Sequence, residues 1–118
     1  MNAPFAQSRP ASLAASDLPL SGQVAIVTGS TSGIGLGIGQ ALAAAGADIV
    51  MNGLGRMEDI EATCEELRSY GRQVSYDGAN LLEPAGAVAL VENCIAQHGR
   101  VDILVNNAGI QYVSPIEE

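Results

Sequence analysis

The run Thr28-Gly29-Ser30-Thr31-Ser32-Gly33-Ile34-Gly35 gathers three glycines and four hydroxyl side chains into eight residues. These residue types hold phosphate. Glycine lets the backbone take positive φ and approach a ligand closely, and hydroxyls donate to phosphate or ribose oxygens. An apolar run, Val24–Val27, precedes the turn, and a helical pattern starts near Gly33. Strand, tight turn and helix in that order aim the free first-turn N–H groups, and the positive end of the helix dipole, at a bound pyrophosphate. Gly37 and Gly39 continue the glycine spacing. That also suits a flexible or closely packed helix start, and Ser32 would serve as an ordinary N-cap.

A second group of polar residues follows a later apolar run, where Asn106-Asn107-Ala108-Gly109 succeeds residues 101–105. Thr-Gly-x-x-x-Gly-x-Gly differs from the Gly-x-Gly-x-x-Gly of most dinucleotide folds. With the Asn-Asn-Ala-Gly run it resembles the short-chain dehydrogenases/reductases. Residues 30–37, Asn52-Gly53-Leu54-Gly55 and Asn107-Ala108-Gly109-Ile110-Gln111 look most like those of bacterial 3-hydroxybutyrate dehydrogenases. The similarity covers nearly everything from Gly22 onward, but only the N-terminal half of that family's length. It implies an α/β, Rossmann-type doubly wound parallel sheet, present as its N-terminal half with strand order 3-2-1-4 and therefore incomplete.

The elements that must position these residues are legible as alternating periodicities. Strand Val24–Val27 is followed by a helix over 33–45, strand Asp48–Met51, a helix over 57–70, a strand over 73–76, a third helix and a fourth strand, Ile103–Val105. In the second helix Ile60, Cys64 and Leu67 repeat at i, i+4, i+7, Glu58 and Asp59 suit the first turn, and Gly71 can stop it. The third helix should begin at Pro84, carry its apolar stripe on Val88, Val91 and Ile95, and stop at Gly99. His98, in its last turn, is placed to meet free carbonyls. Strands alternating with helices imply right-handed crossovers and a ligand at the carboxyl ends of the strands. The fourth strand is left as an apolar edge, which invites pairing with the chain itself or with a full-length homologue.

Each candidate ligand contact follows from that frame. The backbone and hydroxyls of Gly29, Ser30, Thr31, Ser32, Gly33, Ile34 and Gly35 would hold the pyrophosphate. About 20 residues on, an acid normally accepts from the adenosine ribose of NAD, and an Arg marks the 2′-phosphate of NADP. Here the second strand ends on neutral Asn52. The resemblance favours NAD, whereas Arg56 nearby leaves NADP open. Where the family places an acid and an apolar residue against adenine, this chain has Asn80-Leu81, whose amide oxygen can still accept from the exocyclic amine; a surface turn without a ligand is the alternative. By resemblance Asn106, Ala108 and Gly109 line the ribose side of the cofactor, Asn107 braces the sheet, and Gln111 meets the carboxylate of the substrate.

Composition narrows the field further. The 118 residues make one small domain, 47% hydrophobic and 15% charged, with a net charge of −8 that opposes nucleic acid and anionic membranes. No apolar run approaches a membrane span, and the N-terminus has no signal-peptide pattern, so a cytoplasmic location is expected. Residues 1–21, rich in Ala, Ser and Pro, read as a mobile leader or, alternatively, a transit peptide; 22–118 form the partial NAD(P)-binding domain. Cys64 and Cys94 lack metal or redox spacing and read as small buried hydrophobes.

Hydride transfer from a secondary alcohol needs a base for the hydroxyl proton, which this family supplies with Tyr-x-x-x-Lys. All five cationic side chains here are Arg. Tyr70, Tyr76 and Tyr112 therefore have no Lys partner, and no catalytic or metal-ligating residue is assigned. The expectation is the cofactor-binding half of an NAD-dependent 3-hydroxybutyrate dehydrogenase-like protein, inactive alone. The alternative is a non-catalytic nucleotide-binding or oligomerising module.

Overall fold

A computed structural model describes residues 17–107. Four strands, β1 (Val24–Val27), β2 (Asp48–Met51), β3 (Val74–Tyr76) and β4 (Ile103–Val105), form one parallel sheet in the order β3-β2-β1-β4. Helices α1 (Gly33–Ala44), α2 (Met57–Arg68) and α3 (Pro84–His98) make the crossovers. Ala25 pairs with Ile49 and Ile103, and Ile49 pairs with Val74; one position on, Ile26 pairs with Val50 and Leu104. Because alternate residues of a strand point to opposite faces, these two rows feed two cores. Ala25, Ile49, Met51 and Val74 pack with Ala43, Ile60, Cys64 and Leu67 of α1 and α2. Val24, Ile26 and Val50 pack with Leu90 and Cys94 of α3. Helices on both faces explain why β1 is a continuous apolar run rather than an alternating one.

The expected boundaries hold to within two residues. α2 stops at Arg68 instead of 70, since Tyr70 and Gly71 N–H groups donate three residues back, to Leu67 and Arg68, before Gly71 reverses the chain at φ +83. Pro84 opens α3, and Gly99 closes it in the left-handed region with its N–H donating to the Ile95 carbonyl at 2.8 Å.

Three expectations need correction. The buried line of α3 is Leu90 and Cys94, and the stripe read from the sequence, Val88, Val91 and Ile95, is 55%, 36% and 49% exposed. Val91 and Ile95 lie about 100° round the helix from the residues that touch the sheet, on a flank that the described residues leave partly open. Second, His98 meets a hydroxyl, Nε2 standing 3.1 Å from Ser75 Oγ, so it ties the end of α3 to β3. Third, residues 17–21, read as the end of the leader, are docked. Leu20 packs on the α1/α2 core, and its N–H donates to the Ala45 carbonyl at 2.8 Å.

At the amino end of the sheet Asp102 accepts from Val24 N–H at 2.8 Å and from Arg100 Nε at 2.8 Å. The Arg100 guanidinium first, and the Val24 N–H second, hold its carboxyl below the usual carboxylate value. Burial pushes both cysteine thiols up, as expected of inert core residues. The described residues contain no helix long and apolar enough to cross a membrane.

Candidate dinucleotide site

β1 runs into Thr28, whose N–H donates to the Val105 carbonyl at 3.0 Å and so carries the β1–β4 pairing into the turn. Gly29 and Gly33 both stand at φ +62, the left-handed region that side chains strain to reach, and between them the backbone folds back into α1. Gly35, in the first turn of α1, lies against the Gly29 carbonyl: a Cβ there would stand 2.0 Å from that oxygen and 2.5 Å from Asn107 Nδ2. Asn107 is buried and donates Nδ2 to the same Gly29 carbonyl at 3.1 Å. The resemblance has Asn107 brace the sheet; its bond goes instead to the first glycine of the turn.

The hydroxyls divide by what they face. Ser30 is fully buried; its N–H donates to the Asn52 carbonyl at 2.7 Å and its Oγ accepts from the Asn52 N–H at 3.1 Å. That hydroxyl joins the turn to the end of β2 and faces away from solvent. Thr31 Oγ1 donates to the Leu54 carbonyl at 2.7 Å, which fastens the loop after β2 beside the turn. Ser32 is the exposed N-cap of α1 and makes no side-chain capping bond. The simple capping alternative therefore does not describe it, and the first-turn N–H groups, without intrahelical partners by helix geometry, are left to an incoming anion.

Asn52 is turned inward as well. Nδ2 donates to the carbonyls of Asp77 and Ala79 at 2.8 and 3.1 Å, linking the end of β2 to the loop after β3. Tyr76 Oη donates to the Gly53 carbonyl at 2.6 Å across the same gap. Sequence reasoning did not anticipate either the Tyr76 or the Thr31 tie, because a residue's pairing with a distant carbonyl leaves no periodic signal. Asn80 is exposed on the loop after β3, Leu81 packs against the α3 core, and Asn106 lies exposed after β4 with Oδ1 3.4 Å from Thr28 Oγ1. Ala108, Gly109 and Gln111 lie outside the described residues.

All these groups collect at the carboxyl ends of the four strands. Large apolar side chains stand open to solvent on the segments that follow three of the strands: Ile34 on the first turn of α1 is 70% exposed, Leu54 after β2 93%, and Leu82 after β3 91%. These residues leave apolar surface at the end of the sheet where ligands bind in open α/β folds. Backbone donors in the centre, apolar edges around them and no buried carboxylate among the described residues suit an anionic, partly aromatic molecule.

Comparison with known proteins agrees with that geometry. Residues 23–118 match the family model described as short chain dehydrogenase. The D-beta-hydroxybutyrate dehydrogenase of Cupriavidus necator is 48% identical over 101 residues, covering 84% of this chain and 38% of the relative, and that of Rhizobium meliloti is 40% identical over 97 residues, covering 81% and 38%. The crystal structure of a hydroxysteroid dehydrogenase from Escherichia coli superposes with a TM-score of 0.67 at 32% identity, over 74% of this chain and 37% of that one. The chain thus spans well under half the length of these relatives. A sheet of order 3-2-1-4, a glycine turn pinned by a buried asparagine, and a family match from the first strand onward leave one conclusion: this chain belongs to the short-chain dehydrogenase/reductase family.

Proposed function

We propose that the chain is the cofactor-binding half of an oxidoreductase that moves hydride between NAD and 3-hydroxybutyrate. The observation that carries this is the uncapped α1 N-terminus behind Gly29 and Gly33, held open by the Asn107 bond to the Gly29 carbonyl. The backbone from Gly29 to Gly35 and the Ser32 hydroxyl take the pyrophosphate. The adenosine ribose lies beside Gly53 and Leu54, on a loop that Thr31, Ser30 and Asn52 fix in place. The base extends toward Asn80 and Leu81, while Asn106, Ala108 and Gly109 meet the nicotinamide ribose and Gln111 the substrate carboxylate. NAD is preferred on the resemblance to 3-hydroxybutyrate dehydrogenases, while Arg56, four residues past Asn52 and in an exposed pair with Glu58, keeps NADP as the alternative.

The relatives named D-beta-hydroxybutyrate dehydrogenase support the substrate. The 118 residues hold no lysine, so the Tyr-x-x-x-Lys pair that removes the hydroxyl proton has to come from elsewhere. Isothermal titration with NAD and NADP tests the binding role: heat with NAD and weaker binding of NADP are expected, and no heat with either would sink the reading. Incubation with NAD and 3-hydroxybutyrate should produce no NADH from this chain alone.

A second reading, an oligomerising module, is favoured by one feature. Leu104 on the edge strand is 58% exposed on the same face of the sheet as α3, whose Val88 and Ile95 are also open. Light scattering across a concentration series separates the two readings.

A further inference from the structure

We propose that Asn80 presents a hydrogen-bond donor to the base of the bound dinucleotide, so that a 6-oxopurine dinucleotide binds at least as tightly as the adenine one. The inference rests on the dinucleotide reading above. With pyrophosphate over the α1 N-terminus and ribose beside the end of β2, the strand order β3-β2-β1-β4 sends the base toward the loop leaving β3. Asn80 stands exposed on that loop.

The loop is fastened on three sides. Asn52 Nδ2 holds the Asp77 and Ala79 carbonyls, and Leu81 packs against the core beneath α3. On the third side, Gly86 lies so near that a Cβ would stand 1.9 Å from the Asn80 carbonyl oxygen. On this fixed backbone the Asn80 side chain closes its own turn, Oδ1 accepting from the Leu82 N–H at 3.0 Å. Leu82 offers a donor there, so only the amide oxygen can face it, and that settles which way the amide points. Nδ2 then has no acceptor among the described residues and is free for a ligand.

A carboxylate at this position would accept from Leu82 with one oxygen and offer a second acceptor to the ligand. The amide offers a donor instead. Adenine carries an amine donor at C6, whereas hypoxanthine carries a carbonyl acceptor. With Nδ2–H facing the C6 group, the amine sets donor on donor and the carbonyl makes a hydrogen bond, whereas ring N7 accepts equally in both bases. One neutral hydrogen bond is worth roughly two- to tenfold in affinity.

The test is isothermal titration of the 118-residue chain with NAD and with nicotinamide hypoxanthine dinucleotide, repeated on Asn80→Asp. The aspartate keeps the acceptor for Leu82, so the turn survives, and far-ultraviolet dichroism checks that it does. The parent should bind the hypoxanthine dinucleotide as tightly as NAD or up to about tenfold more tightly, and Asn80→Asp should shift the ratio toward NAD by a similar factor. A parent preference for NAD, or a ratio that Asn80→Asp leaves unmoved, overturns this proposal while the dinucleotide reading stands. Heat with neither ligand overturns both.

Discussion

Replacing Gly35 with alanine should damage this chain far more than the same change two residues later. The added methyl would stand 2.0 Å from the Gly29 carbonyl oxygen, 2.8 Å from its carbon and 2.5 Å from Asn107 Nδ2. Two of those atoms are backbone and cannot swing aside as a side chain would, so α1 must lift off β1 or the turn must open. Overpacking of this kind costs about 1–3 kcal/mol. If the Asn107 bond to Gly29 breaks as well, a buried donor and acceptor go unpaired at about another 1–3 kcal/mol. Alanine returns at most about 1 kcal/mol through helix propensity. The net loss is therefore about 3 kcal/mol, a sizeable share of the roughly 5–15 kcal/mol of a small domain. Gly37 supplies the control, because a Cβ there meets nothing within 4 Å. Gly37→Ala should leave stability unchanged or raise it by up to about 1 kcal/mol. Urea unfolding followed by circular dichroism measures both. Gly35→Ala unfolding within about 0.5 kcal/mol of the parent, a typical harmless surface change, would refute the argument that this glycine is required by close approach.

Three further outcomes follow from the same structure. The Asp102 carboxyl is held below its usual value in the folded state, so its contribution is present above the ordinary carboxylate range and is lost as pH falls through the depressed folded value. Asp102→Asn should flatten the acid limb of stability against pH, and an unchanged limb would contradict the assignment. Cys64 and Cys94 are buried with raised thiol values, so neither should react with a disulfide reagent until urea unfolds the chain; fast native labelling would show that the core is open. Leu104→Lys on the exposed edge should lower any concentration-dependent association seen by light scattering, and association unaffected by the change would place the contact elsewhere.

The local and periodic features were legible in the sequence. The glycine turn, the Pro84 and Gly99 ends of α3 and the Ile60, Cys64 and Leu67 face of α2 follow from short-range rules on glycine, proline and helix period; alternating strands and helices imply the parallel sheet, and the family resemblance its order. Family membership followed too, since its motifs are contiguous. What depends on partners far along the chain was decided only by tertiary structure. Val88, Val91 and Ile95 and the pair Leu90 and Cys94 are equally apolar at helical spacing, and only the rotation of α3 on the sheet chooses between them. Ser30 and Asn52 looked like ligand contacts but spend their hydrogen bonds on each other and on the β3 loop, across 22 to 27 residues. Thr31, Tyr76 and Asn107 reach carbonyls 23 to 78 residues away, pairings that no spacing in the chain encodes. The sequence marks the candidate residues by type and spacing; packing decides which of them are spent on holding the loops at the carboxyl end of the sheet.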